Sequence, residues 1–113
     1  MSATAVLPAD TFRALGDPVR CRIVQHLSAH GDTTVNDLTA LFPITVQAVS
    51  RHIKVLEAAG LVSQRKAGRE RPVRLERQQV DAAAGWLGAR VQQLEAKYER
   101  LDAVLTDLRR SST

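Results

Sequence analysis

Cysteine is nearly missing: Cys21 is the one thiol in 113 residues, so no internal disulfide can form. Aromatic side chains are as scarce, with only Phe12, Phe42, Trp86 and Tyr98 in the chain. No apolar run approaches the roughly 18 to 20 residues that cross a bilayer, and no membrane association is expected. Residues 1–8 carry no positive charge ahead of their short apolar patch, so they do not read as an export signal, and the cytoplasm is the expected compartment. A nucleophile motif, a glycine-rich phosphate loop and a paired-carboxylate arrangement are all lacking, which sets an enzyme reading aside.

What is present is ordinary globular material, 44% hydrophobic and 25% charged, so disorder is not expected. The chain is one domain or slightly less, and its modest core would gain from dimerisation. The net charge is +4, but its placement says more than its size. Residues 51–77 hold eight Lys or Arg against three Glu, whereas the segments on either side are balanced to within one charge. The whole basic excess therefore sits in one stretch, the footprint of a surface for polyanions. None of the four aromatics falls in that stretch, which argues against binding single-stranded nucleic acid through base stacking.

Helix signals punctuate the first half. Pro8 opens a first helix through Phe12 and Leu15 to Gly16. Asp17-Pro18 is an N-cap followed by a proline at the first helical position, and the helix places Val19, Ile23, Val24 and Leu27 on one face before Gly31. Thr34 to Asp37 resembles a capping box for a short helix that would bury Val35, Leu38 and Leu41. After Phe42-Pro43-Ile44, Thr45 caps a further helix that runs to Ala59, where Gly60 supplies a left-handed stop. Residues 61–77 then read as a β-hairpin with glycine at its tip and cations on both arms. Helical period returns near Gln78 and lasts almost to the end.

Two helices joined by a short turn make a helix-turn-helix candidate, and the second can be tested by its faces. Taking Val49 as zero at about 100° per residue puts Ile53 and Leu56 at about 40° and −20°, a buried stripe. On the same wheel Gln47, Arg51 and Lys54 fall at about 160°, 200° and 140°, opposite that stripe, with Ser50 at its edge near about 100°. Gln and Arg are side chains that pair bidentately with adenine and guanine, so this face is suited to a major groove. Arg65, Lys66, Arg69, Arg71 and Arg74 would line or tip the hairpin and reach phosphates, which position a protein where base contacts specify the site. Any amphipathic helix is polar outside; its place directly before a basic hairpin is what makes the pair informative.

Two stretches also carry a resemblance. Phe12-Arg-Ala-Leu-Gly-Asp-Pro-Val-Arg-Cys-Arg-Ile-Val is similar to the opening of the ArsR family of winged-helix repressors. Ala48-Val-Ser-Arg-His-Ile-Lys-Val-Leu-Glu-Ala-Ala-Gly-Leu-Val resembles that family's recognition helix and the start of its wing. The resemblance spans residues 10–77. It implies a homodimer, a double-stranded operator and repression relieved by a signal, and it puts Gln47, Ser50 and Arg51 at base-reading positions. His52, at the margin of the core, takes a packing or phosphate role. Thr34 and Asn36 stand where metal-sensing members would carry a cysteine pair, and no histidine follows His52. His26 and His30, one turn apart, make at most half a metal site, and Cys21 has no resolving partner for a redox switch. The resemblance is to the branch without metal ligands: no metal and no cofactor are expected, and the inducer is an unidentified small molecule or protein.

The final segment, 78–113, repeats apolar residues at spacings of three and four. Leu87, Leu94, Leu101 and Leu108 share heptad position d, and Ala84, Val91, Tyr98 and Leu105 position a. Arg90 and Lys97 fall at g and Glu95 and Asp102 at e, a pattern that pairs opposite charges across a parallel dimer. This helix is expected to join two subunits, with Phe12 of the first helix; packing against the chain's own first helix is the competing reading. The expectation is thus a mainly α winged helix-turn-helix: residues 1–77 bind DNA, with the wing at about 61–77, and residues 78–113 dimerise. The cap residue Thr45, with Gln47, Ser50, Arg51, Lys54, Arg65, Lys66, Arg69 and Arg71, forms the candidate DNA surface. A protein-interaction module acting through the last helix is the rival, as is a metal- or redox-responsive repressor among sensors.

Overall fold

The computed structural model describes residues 8–111. The reading of the first eight residues as lacking an export signal therefore lies, but for Pro8, outside the described residues. Five helices and three short strands follow in order: α1 (Pro8–Leu15), α2 (Pro18–His30), β1 (Thr33–Thr34), α3 (Val35–Thr39), α4 (Val46–Ala58), β2 (Val62–Gln64), β3 (Pro72–Leu75) and α5 (Arg77–Ser111). This is a winged helix-turn-helix, mainly helical, with a small antiparallel sheet. Among the described residues no helix is long and apolar enough to cross a membrane.

Each helix boundary follows from local chemistry. The Asp17 carboxylate accepts the N–H groups of Val19 at 2.9 Å and Arg20 at 3.1 Å, two of the four donors that the start of α2 leaves open. Gly31, at φ 82°, ends α2 while its N–H returns to the Leu27 carbonyl. Thr34 caps α3 through the Asp37 N–H, and Thr45 caps α4 through the Ala48 N–H, both at 3.1 Å. Gly60, at φ 76°, lets the chain turn so that its own N–H reaches the Glu57 carbonyl and that of Leu61 the Leu56 carbonyl. That is a Schellman closure, and it buries Leu56 and Leu61 together.

The core belongs to the compact unit that ends at Ala83. Ile23 and Leu27 of α2, Leu38 of α3, and Val49, Ile53 and Leu56 of α4 meet Leu61, Val62 and Val73 of the wing. Complete burial of each aliphatic side chain is worth about 1.5–3 kcal/mol, so this cluster holds α4 and the wing to the same base. Val35 and Leu41, expected to be buried, are only partly so and pack at the core's edge. Thr11, fully buried, accepts a hydrogen bond from Gln79 at 3.0 Å, which ties the first turn of α5 to α1.

Two expectations need correction. The sheet has three strands, not two: its order is β1-β3-β2, with Thr33 opposite Val73 and Thr34 opposite Pro72. The connection between α3 and α4 also covers residues 40–45, longer than the short turn expected, because Pro43 cannot extend α3. The hairpin itself is as read, with Val62 paired to Leu75, Ser63 to Arg74, and Gly68 (φ 64°) at the tip between bridged Ala67 and Glu70. From Ala84 to Ser111 the second unit is described as a single helix, the continuation of α5.

Candidate nucleic-acid interface

The sequence wheel for α4 holds in three dimensions. Val49, Ile53 and Leu56 are fully buried, while Gln47, Arg51 and Lys54 are exposed and Ser50 is half-buried at the edge. Thr45 is exposed at the helix start, its hydroxyl oxygen engaged in the cap.

A groove of about 410 Å³ runs between α4 and the wing. Val46, Ser50 and Lys54 form one wall, Gln64 and residues 69–71 the other, and the start of α3 closes the end. Four of the sequence-derived residues, Ser50, Lys54, Arg69 and Arg71, thus share one concavity. Arg65, Lys66 and Arg71, with Gln64, line a smaller hollow of about 190 Å³ on the wing. Gln47 and Arg51 stand outside the groove lining, on the outward side of α4. Asp37 and Glu70 also line the groove, so it is cationic without being uniformly so.

Not all of the basic excess is available to a ligand. Arg74, expected among the wing cations, instead reaches Asp32, with Nη2 at 3.2 Å and Nε at 3.3 Å from Oδ2. Arg77 pairs with Asp81 one helical turn on, at 3.4 Å. Among the described residues Arg51, Lys54, Arg65, Lys66, Arg69 and Arg71 make no ion pair and are exposed. Guanidinium and ammonium groups without an internal anion are the ones that gain most from a phosphate.

One contact behind the interface was not legible. Arg20 of α2 donates from Nε to the Ala14 carbonyl at 2.6 Å and from Nη1 to Nδ1 of His52 on α4 at 3.2 Å. Asp17 Oδ2 stands 3.7 Å from the same imidazole nitrogen. The Arg20 N–H, above all, holds the Asp17 carboxyl below its ordinary 3.8; burial opposes this, and His52, the Val19 N–H and the Arg20 charge reinforce it. The Asp-Pro cap was the only signal in sequence that this corner is ordered.

His26 and His30 stack with ring centroids 4.4 Å apart, and no group of three metal-binding side chains occurs among the described residues. Cys21 is half-buried, with the Gln25 amide 3.9 Å from its sulfur. On α5, Leu87, Val91, Leu94, Tyr98, Leu101, Leu105 and Leu108 are all exposed, between 44% and 60%. Phe12, assigned to the same role, lies half-buried on α1 in the first unit.

Comparison with known proteins adds the context. A family model described as "Helix-turn-helix domain" matches residues 15–65. The chain is 42% identical over 69 residues to the HTH-type transcriptional regulator Rv2034 of Mycobacterium tuberculosis; the match takes in 61% of this chain, and it spans 64% of that protein's length. A solved structure of a possible transcriptional regulator for arsenical resistance is 37% identical, covering 78% of this chain and 95% of that one, with a TM-score of 0.66. The crystal structure of the ArsR family transcriptional regulator RHA00566 superposes with a TM-score of 0.73 at 29% identity, covering 84% of this chain and 97% of that one.

Proposed function

This chain belongs to the ArsR family of DNA-binding helix-turn-helix transcriptional regulators, and on that premise we propose that it represses transcription as a homodimer on an inverted-repeat operator. Gln47, Ser50 and Arg51 of α4 read base edges in the major groove. Thr45 and Lys54 contact the flanking backbone, and Arg65, Lys66, Arg69 and Arg71 of the wing hold phosphates. One observation carries this reading: the polar flank of α4 and two wing cations meet in one groove, with Ser50, Lys54, Arg69 and Arg71 all lining it, while Gln47 and Arg51 stand exposed beside it. Two such helices in a dimer enter successive major grooves about 34 Å apart.

The dimer forms through α5, whose heptad leucines are exposed in the single chain, together with Phe12. Metal sensing is not part of the proposal, because Thr34 and Asn36 replace the thiols it would need and each is a poor ligand for a soft metal. The signal that releases the operator is a small molecule or a protein, and the site of action is the cytoplasm.

Selection of bound duplexes from a random pool tests the proposal as a whole. Enrichment of a two-fold symmetric sequence with half-sites one helical turn apart supports it. Failure to shift any duplex at physiological salt would return the chain to the rival reading, a protein-interaction module acting through the exposed stripe of α5.

A further inference from the structure

We propose that Arg20 and His52 are positioning residues for DNA recognition, which fix the roll of α4 about its own axis against α1 and α2. The proposal rests on the reading of α4 as the helix that meets base edges.

The apolar stripe of α4 anchors it to the core, but hydrophobic contact is not directional and leaves the helix some freedom to roll. A roll of about 10° moves an atom about 6 Å from the helix axis by about 1 Å, which is enough to spoil a bidentate hydrogen bond. A directional restraint at the edge of the stripe is therefore needed, and His52 occupies that edge. Its side chain is 23% exposed, beside the buried Leu56 rather than on the outer face with Arg51.

The restraint itself is made by Arg20. A guanidinium only donates, so in this contact Nδ1 of His52 is the acceptor. The same guanidinium spends Nε on the Ala14 carbonyl, in the last turn of α1, where carbonyls lack helical partners. Arg20 thus cannot swing without giving up a second bond. Asp17, fixed by the Val19 and Arg20 N–H groups, flanks the pair from the start of α2 and leaves its charge facing the imidazole at 3.7 Å. The fork geometry matters: one group bridges the end of α1, the start of α2 and the middle of α4.

Binding of the selected operator and of a random duplex by the full chain, with thermal unfolding run alongside, tests this. Arg20→Ala and His52→Ala are expected to lower operator affinity about tenfold, a loss of about 1.4 kcal/mol, with random-duplex affinity unchanged. Together they should cost little more than either alone. His52→Asn places an amide oxygen where Nδ1 stands and should restore operator affinity. His52→Gln places its amide where Nε2 stands and should not. Arg20→Lys should behave as Arg20→Ala, since an ammonium cannot span both acceptors.

Rescue by Gln and not by Asn would overturn the proposal, because it would mean that His52 acts through Nε2 on the DNA itself. An unchanged operator-to-random ratio in both alanine variants overturns it as well. If the Arg20 variants do not fold, the Asn and Gln pair decides alone. Arg51→Ala separates the two readings: if it loses specificity while His52→Ala does not, only the positioning role fails. If Arg51→Ala keeps its specificity, base reading by α4 falls and the positioning role goes with it.

Discussion

Arg74 and Asp32, 42 positions apart in the chain, meet at 3.2 Å across the base of the wing. The contact divides the wing's cations into two kinds. Arg74 pairs within the fold, while Arg69 and Arg71, at and beside the tip, make no ion pair among the described residues.

The division predicts different salt behaviour. Replacing Arg69 or Arg71 by Ala should weaken binding to every duplex and reduce the slope of log affinity against log salt by about 0.9 per lost phosphate contact. Arg74→Ala should leave that slope unchanged. Its ion pair is solvent-exposed, so stability should fall by only about 0.2–1 kcal/mol. Equal slopes for all three variants would erase the distinction. Titrations at several salt concentrations measure it.

Specificity is assigned to the outward side of α4. Arg51→Ala should cost about 1–3 kcal/mol on the operator and much less on random DNA, with preference relaxed at one base pair of each half-site. Competition between operator and random duplex reads this directly. Loss in equal measure on both would make Arg51 a phosphate anchor.

Much of this was legible because the signals are local. Asp17-Pro18, Thr34, Thr45 and Gly60 act within one turn of the chain, and each marks a helix end in the structure. The polar outer face of α4 was legible for the same reason: Val49, Ile53 and Leu56 impose one orientation on the whole helix. Strand β1 was hidden because Thr34 serves as strand end and helix cap at once, and two residues have no detectable period. Arg74–Asp32 and Arg20–His52 were hidden because side-chain partners remote in sequence leave no pattern in it. Charge counting alone placed Arg74 with the DNA-facing cations; only the partner's position separates it from them.

Acid should expose the role of Asp17. Its carboxyl titrates below the ordinary 3.8, so its stabilisation is complete above that value and is lost as pH falls through the lowered one. Asp17→Asn keeps a good cap but does not titrate, so its stability should decline less steeply below 3.8 than that of the unaltered chain. Asp17→Ala loses the cap and should cost about 0.5–2 kcal/mol at neutral pH. Urea midpoints on both sides of 3.8 provide the comparison. An acid limb no shallower in the Asn variant would assign the acid sensitivity elsewhere.

The stripe on α5 makes a prediction that rests on exposure itself. Leu94 and Leu101 are 51% and 54% exposed in the single chain, so charging them should cost the isolated fold little. In a dimer seam the same change buries a carboxylate without a partner, which costs several kcal/mol. Leu94→Asp with Leu101→Asp should therefore give a monomer by sedimentation at micromolar concentration, still folded and with an unfolding temperature that no longer depends on protein concentration. Operator binding should weaken steeply, because one half-site then binds without the other. Truncation after Gly88 should act alike. A truncated chain that still sediments as a dimer would take the distal helix out of the interface and leave Phe12 and the start of α5 to hold the subunits together.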